Sequence, residues 1–130
     1  MSVLVLVVDD EPDVEALFRQ QFRRDLRAQR FVMDFALSAK DALSRIADPI
    51  EQTLILILSD INMTGMTGLE MLPKVREMRS KVPVIMITAY GDPETRRKAM
   101  EGGATGLISK PIDFALLREQ IDARLRKAGS

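Results

Sequence analysis

Val3-Leu4-Val5-Leu6-Val7-Val8-Asp9-Asp10 places six consecutive apolar residues directly before two carboxylates. A strand with one wet face would alternate apolar and polar side chains. A uniform apolar run needs cover on both faces, as parallel strands between two helical layers have it. The same kind of run returns at Phe31–Ala36, Leu54–Ser59, Val84–Thr88 and, shorter, Gly106–Ser109. Asp34 interrupts the second run, which places that strand near a sheet edge.

Helical spacing fills the intervals. Val14, Leu17, Phe18, Phe22 and Leu26 predict one helical stripe, and Phe114, Leu117, Ile121 and Leu125 another. Start signals accompany them: Pro12 suits a first turn, Ser38 with Asp41 resembles a capping pair, and Asp92-Pro93 joins a capping carboxylate to proline at the first position. Thr67-Gly68-Leu69-Glu70 has capping-box spacing, but Pro73 removes a helix hydrogen bond soon after, so a bend or a later start is expected there. Five strands alternating with five helices predict an α/β fold, a doubly wound parallel sheet with right-handed crossovers.

Composition narrows the functional classes. The 130 residues, 46% hydrophobic and 29% charged, suit one domain that buries roughly two-thirds of its unfolded surface. Residues 1–130 therefore read as a single domain without an output domain, so an effector is expected to be another molecule. Cysteine is absent, which excludes disulfides and thiolate metal sites. No secretory leader and no membrane-length apolar run occur, so a cytoplasmic location is expected. Nineteen basic residues balance nineteen acidic ones, giving no field that favours nucleic acid or an anionic membrane. The Arg96-Arg97-Lys98 run is too short for a nucleic-acid site and reads first as a solvated helix face.

Ligands of a doubly wound sheet bind outside the carboxyl ends of its strands. Those ends carry Asp9 and Asp10 after the first run, Asp60 after the third, Thr88 on the fourth and Lys110 after the fifth. Singly, each has a bland reading as a helix-dipole partner, a turn cap or a solvated charge. Jointly they form three carboxylates, a hydroxyl and an ammonium aimed at one crevice. Two carboxylates about 5 Å apart repel by roughly 3 kcal/mol at an effective dielectric of 20, so three together call for a cation. Oxygen donors without His or Cys select a hard ion, magnesium ahead of zinc, with manganese as an admissible substitute. Asp60, central in the crevice, is the candidate nucleophile for an aspartyl phosphate, with Thr88 and Lys110 binding phosphoryl oxygens.

The segments Val7-Val8-Asp9-Asp10-Glu11-Pro12, Ser59-Asp60-Ile61-Asn62-Met63-Thr64-Gly65-Met66-Thr67-Gly68, Ile87-Thr88-Ala89-Tyr90 and Ser109-Lys110-Pro111 closely resemble, in order and spacing, the receiver domains of bacterial two-component response regulators. The resemblance runs from Val3 to about Leu125. It implies a flavodoxin-like sheet of order 2-1-3-4-5 and phosphotransfer to Asp60 from a sensor histidine kinase or phosphotransfer protein. It also implies Mg2+ on Asp10, Asp60 and the Asn62 main-chain carbonyl, with Asp9 acting through water. Ala89 would leave room for the phosphoryl group, Lys110-Pro111 would be cis, and the fourth helix, fifth strand and fifth helix would meet a downstream protein effector or a second copy. Such a phosphoprotein is a signalling switch, its only chemistry self-catalysed phosphotransfer.

Three positions depart from the family pattern. Thr64 stands where proline is usual and Thr67 where Asp or Asn is usual, which predicts a looser loop after Asp60. Leu107 occupies the place of the switch aromatic, so the usual threonine–aromatic coupling lacks its ring; Tyr90 is an alternative source of one. The competing reading is a phosphorylation-independent pseudo-receiver, whose usual mark is loss of an acidic, Thr or Lys position. A haloacid-dehalogenase-like phosphatase needs Asp-x-Asp after the first strand, and a flavodoxin needs a hydroxyl-rich phosphate loop there; Asp9-Asp10-Glu11-Pro12 fits neither.

Overall fold

A computed structural model describes residues 2–48, 52–89 and 91–128. The elements run β1 (Val3–Val8), α1 (Asp13–Gln21), α2 (Arg23–Arg27), β2 (Val32–Ala36), α3 (Ala39–Ala47), β3 (Thr53–Asp60), α4 (Gly68–Met78), β4 (Val84–Thr88), α5 (Pro93–Glu101), β5 (Gly106–Ser109) and α6 (Phe114–Ala128). The sheet is parallel throughout, in the order β2-β1-β3-β4-β5. β2 is an edge strand, as Asp34 foretold, and that carboxylate is met by Arg45 of α3 at 2.7 Å.

Side-chain alternation along the strands divides the core in two. Leu6, Val8, Ile57, Val84 and Met86 pack with Ala42 and Ile46 of α3, Met71, Leu72 and Val75 of α4, and Ala99 of α5. Val5, Val7, Leu56, Leu58, Ile85, Ile87 and Ile108 pack with Phe18 of α1 and with Leu117 and Ile121 of α6. Adjacent residues of one strand thus feed opposite layers, which is why the runs show no polar alternation.

Two helix expectations need correction. The stripe beginning at Val14 is not one helix: it breaks at Phe22, whose φ and ψ are −108° and 20°. Phe22 is fully buried, its ring 6.2 Å from Phe18, 6.0 Å from Phe31 and 6.1 Å from Phe114, with the Arg118 guanidinium 4.9 Å above it. Tertiary packing of this ring outweighs the local preference for an unbroken helix. Leu17, assigned to that stripe, is 42% exposed, because it lies at the margin of the face occupied by Val14, Phe18 and Phe22. Of the bend or later start expected near Pro73, the later start is overturned: α4 begins at Gly68. Thr67 and Glu70 form the reciprocal capping box, and the exposed Pro73 sits inside the helix. The caps at Ser38 and Asp92 form as expected, accepting from the Asp41 and Thr95 N–H groups at 3.0 and 2.7 Å.

Candidate functional site

The five predicted polar residues meet at the carboxyl end of the sheet. β1 delivers Asp9, whose N–H continues the ladder to the Ala36 carbonyl at 3.1 Å. Asp9 is buried, and its Oδ1 accepts the Glu11 N–H at 3.0 Å, which turns the chain into α1. Asp10 follows, half-buried. Its Oδ2 accepts the Thr64 N–H at 3.0 Å and the Thr64 hydroxyl at 3.3 Å. Asp60 ends β3 opposite Ile87, only 6% exposed. One carboxylate oxygen from each of Asp9, Asp10 and Asp60 lies within 4.8 Å of the others.

β4 and β5 complete the wall. Thr88 is buried at the end of β4, and its carbonyl accepts the Lys110 N–H at 2.8 Å. The Lys110 ammonium lies 3.4 Å from Asp60 Oδ2 and 3.8 Å from Asp9 Oδ2. Lys110-Pro111 is cis. Ala89 is exposed beside Thr88, and Asn62 is exposed two residues beyond Asp60. Tyr90 lies outside the described residues. Leu107 pairs in register with Met86 and packs, partly buried, against the core layer that holds α5.

The loop after Asp60, expected to be looser for want of proline, is tied down at several points. The Ile61 N–H reaches the Ile87 carbonyl at 3.1 Å, the Gly68 N–H returns to the Ile61 carbonyl at 2.8 Å, and Met63 is buried in the core between them. Gly68 is required by close approach: a Cβ there would stand 2.3 Å from the Asp60 carbonyl oxygen. Gly65 supplies the turn, at φ +81°. Thr64 and Gly68 were visible in the sequence as members of a motif, but the Asp10 carboxylate that Thr64 meets across the crevice and the Asp60 carbonyl that Gly68 approaches were not.

Electrostatics follow from this geometry. Burial, then the Asp9 charge, pushes the Asp60 carboxyl above the usual carboxylate range, while Lys110 pulls it down. At 4.8 Å each carboxylate pair repels by about 3.5 kcal/mol at an effective dielectric of 20, or about 10 kcal/mol for three pairs; the two Lys110 contacts return about 9 kcal/mol on the same scale. The lysine thus falls just short of balancing the repulsion and leaves a formal surplus of two negative charges. An all-oxygen donor set with that surplus fits a hard divalent cation.

Among known proteins, the family described as "Response regulator receiver domain" matches residues 5–122. The chain is 34% identical over 124 residues to the response regulator protein PilR of Pseudomonas aeruginosa, a match covering 93% of this chain but 26% of PilR. It is also 34% identical over 111 residues to an uncharacterized 14.6 kDa protein of Leptolyngbya boryana, covering 84% of this chain and 79% of that one. Among solved structures, a CheY-like receiver domain protein from Methanospirillum hungatei superposes with a TM-score of 0.83 at 26% identity, covering 98% of this chain and 96% of the other. Chemotaxis protein CheY4 of Vibrio cholerae gives 0.79 at 26% identity, covering 95% and 98%.

Proposed function

From the premise that this chain belongs to the response regulator receiver domain family, we propose that it is a phosphorelay switch whose phosphoacceptor is Asp60. The observation that carries the proposal is the convergence of Asp9, Asp10, Asp60 and Lys110 at one end of the sheet, with Thr88 on the adjoining strand. In the reaction an Asp60 carboxylate oxygen forms a bond to phosphorus as the P–N bond of a kinase or phosphotransfer-protein phosphohistidine breaks. Nucleophilic attack needs the carboxylate form of Asp60, which a bound cation would favour against the burial and the Asp9 charge that raise its pKa. Asp10, Asp60 and the Asn62 main-chain carbonyl would hold Mg2+, or Mn2+ in its place, with Asp9 assisting through water; the ion would screen the approaching phosphoryl charge.

Lys110 and the Thr88 hydroxyl would bind phosphoryl oxygens, and Ala89 would admit the group. The phosphorylated chain would act in the cytoplasm on a protein effector through α5, β5 and α6, a surface also suited to a second copy. Among the described residues no helix is long and apolar enough to cross a membrane. Acetyl phosphate with Mg2+ is expected to add the mass of one phosphoryl group to the intact protein, and Asp60→Asn to remove that gain. If neither acetyl phosphate nor a panel of histidine kinases produces it, the phosphorylation-independent module replaces this reading.

A further inference from the structure

We propose that Thr64 is a positioning residue for Asp10 that sets the crevice's preference for a small divalent cation over a larger one. This rests on the reading above, that the three carboxylates take Mg2+. Asp10 Oδ2 is occupied twice, by the Thr64 N–H at 3.0 Å and by its hydroxyl at 3.3 Å. With Oδ2 so engaged, the second carboxylate oxygen would be the one offered to the cation. Such a carboxylate offers one ligand atom in a fixed direction. Magnesium demands near-ideal octahedral geometry and is bound through few carboxylates and several waters, whereas calcium takes six to eight oxygens and accepts bidentate carboxylates.

The donor can enforce this because its backbone is fixed. Thr64 is exposed, but the loop that carries it is pinned at Ile61 and Gly68, weighted by buried Met63 and closed by the Thr67–Glu70 cap. Proline, the usual residue of the family here, has neither an N–H nor a hydroxyl to offer. The chain therefore gains from its departure two contacts to a metal ligand 54 residues away in sequence. Groups that orient a ligand from behind typically govern metal affinity by about 10–100-fold, and solvent access at Thr64 places the expected effect below that range, at about 3–10-fold.

Calorimetric titration of the intact protein with Mg2+ and with Ca2+ separates positioning from mere loosening. Thr64→Pro is expected to weaken Mg2+ about 3–10-fold and Ca2+ less, lowering the ratio of the two affinities, with Thr64→Ala intermediate and Thr64→Ser close to wild type. Equal losses for both ions, or no loss, overturn the proposal. Should Thr64→Pro fail to fold, the order of the Ser and Ala variants decides. A metal-free arm stands apart from cation binding: exchange of the Thr64 amide hydrogen is expected to be slow in wild type and faster in Asp10→Ala. Equal exchange rates overturn the positioning contact itself. Wild-type protein that binds no Mg2+ while its Thr64 amide stays protected overturns the reading that the three carboxylates take Mg2+, with the contact intact.

Discussion

Replacing Asp60 with Asn is expected to make the metal-free protein more stable, although it removes the residue on which the proposed chemistry depends. At an effective dielectric of 20, Asp60 takes part in two repulsions of about 3.5 kcal/mol each at the 4.8 Å limit and one attraction of about 5 kcal/mol to Lys110 at 3.4 Å. Neutralising it relieves about 2 kcal/mol. Solvent at the crevice mouth and the polar amide left behind reduce this to about 1 kcal/mol, or roughly 3 °C in melting temperature for a domain of this size. The Asp60 pKa is higher folded than unfolded, so the folded state holds the proton more tightly. Its stabilising share is full below the unfolded value and is lost as pH rises through the folded one. The advantage of Asp60→Asn should therefore be greatest near pH 8 and shrink as pH falls through the acidic range. Magnesium should act in the opposite sense: at ten times its dissociation constant it adds about 1.4 kcal/mol to wild type and less to the variant. Thermal melts in EDTA and in Mg2+, at several pH values, check each part. An Asp60→Asn protein that melts at or below wild type in EDTA at pH 8, or that gains as much from magnesium, refutes the electrostatic account.

Asp25→Asn is expected to cost about 1–2 kcal/mol in urea denaturation at pH 7, because buried Asp25 is bonded by both Arg30 and Arg118, themselves partly exposed. Burial raises the Asp25 pKa, but the two arginines outweigh it and leave the value lowered; its contribution is present above the unfolded carboxylate value and lost as pH falls through the folded one, so wild type and variant should converge below about pH 4. Gly68→Ala is expected to cost about 2–3 kcal/mol and to slow acetyl phosphate labelling, since the backbone oxygen of Asp60 must move to admit the methyl group. At Gly65, where nothing lies within 4 Å, the same substitution should cost only the backbone strain of a positive φ, about 1 kcal/mol, and melting curves of the two variants compare them directly.

Leu107 bears on how a phosphoryl group at Asp60 would be reported. Its side chain packs on the layer with α5, whereas Thr88 is buried at the end of the adjacent strand. A tyrosine at this place would carry a hydroxyl that could gain hydrogen bonds in a solvent-facing position. Leu has no polar end to gain from either position. A response that passed through Leu107 would therefore be a repacking of apolar volume against α5, costing contacts on one side as it made them on the other.

What was legible in the sequence follows the range of the interactions involved. The caps at Ser38, Thr67 and Asp92 join residues three apart, and strand burial is written in single runs, so both could be read from short windows. The gathering of Asp9, Asp10, Asp60, Thr88 and Lys110 spans the chain, but a parallel sheet forces its strand ends to one side, and topology supplies what proximity in sequence does not. No such rule covers Phe22, whose helix break depends on rings brought by Phe31 and Phe114, or Asp25, whose partner Arg118 lies 93 residues away. Thr64 falls between these cases. Its departure from the motif was plain, yet read locally the loss of proline's rigidity predicted a looser loop. Across the crevice the same change adds an N–H and a hydroxyl to Asp10, so the residue that relaxes one constraint on the loop supplies another that ties it to the site.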